Sequence, residues 1–366
     1  MHRLKHIDSI RGLAALAVIY SHVLEYPVRR GLVTYGFEQH LFNFLVEYLV
    51  VGKVAVTVFF AVSGFVIPFS LFKFKSKPIL LFAISRFFRL YPAYWVSIPF
   101  GLFFLFVLPG HAVSPQLVIM NMTMLQQFFG VQNIIELYWT LQIELIFYVI
   151  CAMLFAMKRL DDVRIVTGAG LFFIACAVIL GAFRFFLEKK YPVALPLSLS
   201  VMFWGLCIRF YAMDRELWRR PLIIITAALI VFIPIVSMLA YNKDMGFQET
   251  WYKYTATYYL AIALFYLLYR YIRITNPVFV YLGTISYSVY LFGYVVQEAL
   301  LRVFGNDIFL LPVHVFMLVT SIATIAVASV VYRWVEAPAV ALGRKIIKFH
   351  EAKEPAGVPV PEPGVT

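Results

Sequence analysis

Leu4 to Tyr26 reads LKHIDSIRGLAALAVIYSHVLEY, an apolar run long enough to cross a bilayer that carries an arginine and a histidine within it. Arg11 and His22 are eleven residues apart. At 100° per residue, eleven steps return to within about 20° of the starting face, so the two share one stripe of one helix. At 1.5 Å per residue they stand roughly 16 Å apart along the axis, which puts Arg11 near one membrane surface and His22 deep or toward the other. A cation at one end of a span and a proton-transfer group further along it form a line across the bilayer. Ionisable groups inside a span cost about 3 kcal/mol each on insertion scales, and they are kept where partners or a cavity receive them. Arg11 taken alone also fits a simple headgroup anchor.

Working outward, composition sets the class. The chain has 366 residues, of which 63% are hydrophobic and only 14% charged. Its mean hydropathy is +0.86. A soluble domain carries roughly 25% charged residues, so this is an all-α integral membrane protein. Apolar runs of spanning length fall at 8–26, 44–72, 79–108, 139–157, 163–186, 192–211, 221–241, 251–272, 278–304 and 311–341, which predicts a bundle of about ten transmembrane helices. The net charge of +12 clusters between these runs, where the positive-inside rule accounts for it without nucleic acid. Lys73, Lys75, Lys77, Arg86, Arg89, Arg215, Arg219 and Arg220 fall on one side, and that assignment places both termini in the cytoplasm. Cys151, Cys176 and Cys207 lie in apolar runs with no metal-ligand spacing, so neither a metal site nor a disulfide framework is expected. The membrane domain is placed at 1–345 and a short cytoplasmic tail, too rich in Pro, Glu, Gly and Val to build a core, at 346–366.

Other stretches place polar groups where lipid disfavours them. Ser63-Gly64-Phe65 sets a hydroxyl and a glycine among bulky residues, which permits close helix approach and equally fits plain packing. Arg86 and Arg89, three apart in SRFFRLYPAYW, face one side of a helix start. Two forked guanidiniums there suit a phosphate, although arginines that only set topology would look the same. Trp139-Thr140-Leu141-Gln142-Ile143-Glu144 opens a further span and carries a carboxylate about a turn inside it, where it needs a cationic or hydrogen-bonded partner. Between these spans, the 109–137 connection has no lysine or arginine and reads as a segment folded back on the external surface.

Taken together, IDSIRGLAALAVIYSH, FFAVSGFVI, SRFFRLYPAYW, WTLQIELIFY, LGTISYSVYLF and YRWVEAPAVALGRK resemble, in order and spacing, the acyltransferase-3 family of membrane acyltransferases across nearly the whole chain. The resemblance implies transfer of an acyl group, acetyl first, from cytoplasmic acyl-CoA to a hydroxyl of an extracytoplasmic carbohydrate or glycolipid, in a bacterial inner membrane. Lipid is the surrounding partner, and a homo-oligomer is left open. Carried over by motif position, Arg11 and His22 form the essential pair of the first helix, Arg86 and Arg89 join Arg11 at the donor phosphates, and Glu144 is the acidic residue of the fourth helix. Lys75 and Lys77 extend the donor site. His22 is expected as general base with Glu144 orienting it, and Glu25, on the same face as His22, is a second candidate orienter. Ser63, Gly64, Trp139 and Glu25 are expected around the acceptor, with Tyr138 and Trp139 offering faces for sugar stacking or serving as ordinary interface aromatics. The chain departs from the family pattern at Thr57, where many members carry an acid, and at Gly293, where many carry a histidine. A carbohydrate or lipid transporter is the alternative reading, since buried ionisable groups are equally expected there.

Overall fold

In hydrocarbon every backbone N–H and C=O must find its partner within the segment, so apolar runs of this length fold as helices. The computed structural model describes residues 4–33, 35–74, 76–242 and 250–352, and all regular structure among them is helical. Lys75 and the 353–366 part of the tail lie outside the described residues. The α-helices in chain order are α1 (Lys5–Arg29), α2 (Gly36–Tyr48), α3 (Val51–Val66), α4 (Pro78–Leu102), α5 (Pro115–Thr123), α6 (Trp139–Ala156) and α7 (Val163–Leu187). They continue as α8 (Ala194–Met213), α9 (Arg215–Tyr241), α10 (Trp251–Leu267), α11 (Pro277–Phe304), α12 (Val313–Val331) and α13 (Ala337–Ala352).

Nine helical segments among the described residues are long and apolar enough to cross a membrane, one fewer than the ten runs read from sequence. The difference is the 251–272 run. It folds as α10 followed by a π turn at Leu268–Ile272, and its first half carries Lys253 with the hydroxyls of Tyr252, Tyr254, Thr255, Thr257 and Tyr258. The second apolar run also breaks at Leu49–Val50, so the short α2 is separate from the spanning α3. At the other end, helix continues through Ala352, past position 345 where the tail was placed.

The described chain divides into two compact units. One holds the residues up to Val46, Ala83–Gln142 and those from Arg273 on; the other holds Glu47–Phe82 and Ile143–Ile272. Within the first unit α1 packs along α11, and the crossing is made by two glycines facing each other: a Cβ on Gly12 would lie 2.7 Å from the Gly283 nitrogen, and one on Gly283 only 1.8 Å from the Asp8 carbonyl oxygen. The second unit is built on the same device. A Cβ on Gly64 of α3 would lie 1.8 Å from the Met202 carbonyl oxygen of α8, and one on Gly205 of α8 would lie 2.2 Å from that of Ala61. Small residues of this kind let helix backbones approach and gain dispersion contact, the main attraction available between helices in lipid. Gly283→Ala is therefore expected to destabilise the protein by about 1–3 kcal/mol, because backbone rather than a flexible side chain must move. Thermal unfolding in detergent measures it, with Gly168→Ala, where a Cβ meets open space, as the control that stays at the parental midpoint.

Two acids outside the spans cap helix starts. Asp162 accepts from the Ile165 and Arg164 nitrogens at the start of α7, and those bonds hold its carboxyl below the ordinary value. Glu38 of α2 reaches across to α12, accepting from the nitrogens of Val313 (2.8 Å) and His314 (3.2 Å) and contacting the His314 ring through Nδ1. Burial pushes the Glu38 pKa up, but these donors outweigh it and leave the group below its ordinary value. A carboxylate whose folded pKa is depressed contributes stability above its unfolded pKa and loses that contribution as pH falls through the folded one. Thermal midpoints should thus fall on acidification below the ordinary glutamate range, and Glu38→Gln should flatten that part of the profile.

Candidate active site

The α1 residues singled out from the sequence, Arg11, His22 and Glu25, all sit in the first unit. Arg11 is half-buried, one residue before the Gly12 crossing. Two turns and more further on, the His22 ring meets the Tyr294 ring of α11 edge-on, with centroids 5.5 Å apart. The buried Gln297, three residues along α11, donates Nε2 to the His22 carbonyl oxygen at 3.1 Å. Gly293 lies against this contact, since a Cβ there would stand 3.0 Å from Ile19. A histidine at 293 would have to displace Ile19, and in this chain it is the adjacent Tyr294 that faces His22.

Two carboxylates of the same unit act electrostatically on His22, namely Glu25 and Glu136. Glu25 is already engaged, accepting from Ser21 Oγ at 3.1 Å and pairing with Arg29 at 3.4 Å. Glu136 begins a 3-10 turn at Glu136–Tyr138 that is pinned to α11, because Tyr290 donates its hydroxyl to the Leu137 carbonyl oxygen at 3.1 Å. Tyr290 is one turn before Tyr294, so the pinning carries Glu136 toward the His22 end of α11. Sequence reading passed over Glu136, which sits at the end of a connection read as surface. Its signal was being the single acid in the otherwise uncharged 109–137 segment.

That segment is folded rather than loose. α5 and the turns after it are tied to α4 by three donors, Tyr91 to the Thr123 carbonyl, Tyr94 to that of Asn121 and Trp95 to that of Met122. Asn121 is fully buried; its Nδ2 donates to the carbonyls of Leu117 and Gln132 while its Oδ1 accepts from the Ile134 nitrogen. Tyr138 is also buried, sharing a hydrogen bond with Ser97 at 2.7 Å and packing on Tyr94, which takes it away from any sugar-stacking surface. Trp139 remains half-exposed beside it.

The arginine motif has a partner that the sequence reading did not single out. Arg86 and Arg89 are both half-buried on α4, and Arg89 Nη1 pairs with Oε1 of Glu336. Glu336 is fully buried, and Ser288 Oγ of α11 donates to its other oxygen at 2.8 Å. One arm of the Arg89 fork is therefore committed to an internal carboxylate. Glu336 ends the π turn Tyr332–Glu336, a lone acid in the 311–341 apolar run, and in that respect it was as visible as Glu144.

Glu144, Ser63 and Gly64 belong to the second unit. Glu144 is half-buried and accepts from Tyr148 Oη of its own helix at 2.6 Å. Gly64 lies at the α3–α8 crossing with Ser63 half-buried beside it, Thr57 is buried about two turns earlier, and Lys53 stands 5.7 Å from the Tyr254 ring centroid. Among the described residues no three of His, Cys, Asp and Glu gather as a metal set would.

The fold, with ionisable groups set into its helices, defines a polytopic helical membrane protein. A family model described as an acyltransferase domain matches residues 4–333, and the chain belongs to that family, acyltransferase-3; it is a multi-pass membrane acyltransferase. No curated protein and no solved structure matches the chain.

Proposed function

We propose that the protein moves an acyl group, acetyl first, from cytoplasmic acyl-CoA to a hydroxyl of an extracytoplasmic carbohydrate such as exopolysaccharide or lipopolysaccharide, in the inner membrane of a bacterium with both termini cytoplasmic. The observation that carries this reading is the arrangement of α1, with Arg11 and the Arg86–Arg89 pair in one unit and His22 eleven residues beyond Arg11 on the same stripe. Guanidiniums recognise phosphate by planar, charge-assisted forks, which suits the phosphates of CoA. His22 takes the proton of the acceptor hydroxyl as its oxygen bonds to the thioester carbon; the C–S bond breaks, and the imidazolium returns that proton to the sulfur so that CoA leaves as the thiol. Tyr294 and the Gln297 contact hold the His22 segment, and Glu25 and Glu136, the carboxylates of His22's own unit, are the acids that orient its ring. Trp139 contributes to the acceptor path, and the 109–137 segment of the same unit roofs it.

Purified protein in liposomes with radiolabelled acetyl-CoA tests the proposal. Label appearing on an added glycan acceptor, or on water in its absence, is the expected result. Movement of glycan across the bilayer with no consumption of acyl-CoA would replace the enzyme reading by the transporter one.

A further inference from the structure

The second unit contains a cavity of about 470 Å³ between α8, α9 and α10, within the size range of small-molecule pockets. Trp204, Leu222, Ile223, Thr226, Ile230 and Tyr266 form most of its wall. Ile223 and Ile230 are more than half exposed, so the cavity opens sideways along spanning helices, toward lipid. Its main polar groups are satisfied internally. Thr226 Oγ1 donates to the Leu222 carbonyl oxygen at 2.6 Å and accepts from Trp204 Nε1 at 2.9 Å. A wall that leaves so little hydrogen bonding to offer suits a hydrocarbon chain and would leave a sugar's hydroxyls unpaired.

Charge marks one end of this groove. Arg219 and Arg220 lie three residues before Leu222 and Ile223 on α9, and Arg270 lies four after Tyr266 in the π turn that follows α10. Residues three or four apart share a helix face, so the arginines stand one turn beyond the groove on the side to which it opens. All three are exposed. The acids at that end are Asp214, whose Oδ1 accepts from the Leu217 nitrogen, and Glu216, and with Arg215 the cations outnumber them.

We propose that this groove seats an acyl chain of an anionic phospholipid whose phosphate rests on Arg219, Arg220 and Arg270. The site is independent of acyl transfer: it lies on the outer flank of α9 and α10, uses none of the residues assigned to donor or acceptor, and stands or falls whatever the enzyme's substrate. Its arginines fall on the side that the charge bias assigns to the cytoplasm, where the leaflet surface is negative.

Native mass spectrometry of the full-length protein, released from bilayers containing equal phosphatidylglycerol and phosphatidylcholine of matched chains, reads the site directly. The parent protein should retain the anionic lipid over the zwitterionic one by at least about tenfold, since about 1 kcal/mol for each basic residue near an anionic surface lets three arginines supply that much and more. Arg219→Gln, Arg220→Gln and Arg270→Gln together should abolish the preference while a bound lipid persists, and Ala263→Trp, which fills the groove from its exposed wall, should remove the lipid itself. Equal retention of both lipids by the parent, or an unchanged preference in the folded triple variant, would overturn the proposal. Because the three arginines are exposed, the triple variant decides the matter even if the tryptophan variant fails to fold.

Discussion

Changing His22 to alanine is expected to lower the rate of acyl transfer by about 10²–10⁴-fold while acyl-CoA affinity stays near the parental value, the pattern of a group needed chiefly in the transition state. A sugar hydroxyl is a weak nucleophile at neutral pH, and its attack on a thioester requires proton removal as the C–O bond forms. Neutral imidazole is the side chain matched to that task. Geometry supports the assignment in a specific way. The backbone carbonyl of His22 is tied to Gln297 and its ring is braced by Tyr294, so the ring is held by α11 while Arg11 stands at the other end of the same stripe. Binding of acyl-CoA by isothermal titration, beside single-turnover transfer, separates the two effects. A variant that keeps most of its transfer rate would remove His22 from the chemistry. Trapping an acyl group on His22 without acceptor would convert the general base into a nucleophile in a two-step route.

Removing Arg89 should act first on stability. Glu336 has no exposed surface, and its two oxygens are taken by Arg89 and Ser288. Arg89→Ala leaves a buried carboxylate without its cation, a change that costs about 3–5 kcal/mol when one partner of a buried pair is lost. The Arg89→Ala, Glu336→Ala double variant removes the stranded charge and should regain part of that loss. Thermal unfolding in detergent of the single and double variants, with acyl-CoA affinity measured on each, distinguishes two roles. If Arg89 serves only the CoA phosphates, the single variant would lose affinity at an unchanged midpoint. If it anchors Glu336, the midpoint falls, and Arg86 with Arg11 carries the donor contact.

Much of this was open to reading from the chain alone, for a physical reason in each case. Lipid forbids unsatisfied backbone, so the spans follow from apolar run length; only the 251–272 run, diluted by hydroxyls and Lys253, falls outside the set. Arg11 and His22 are related by helical periodicity within one segment, which needs no tertiary information. Glu336 and Glu136 were harder because their roles depend on which helices touch. Arg89 and Glu336 lie 247 positions apart, and no local pattern states that α4 and the end of α12 meet through α11. The glycines were visible as letters, but Gly283 in LGTISYSVY shows its purpose only when the Asp8 carbonyl is found against it.

The pairing of α1 with α11 also dictates an order of events during synthesis. α1 is made well before α11, the helix that receives its glycine face, and between them come the helices α3 to α10, whose own glycine crossing between α3 and α8 is complete by Met213. Until α11 is inserted, Arg11 and His22 must wait in the bilayer without the surface built to hold them. Chains that stop before Pro277 can therefore complete the α3–α8 pair but never the α1–α11 pair, and α1 is among the last of these helices to find its place.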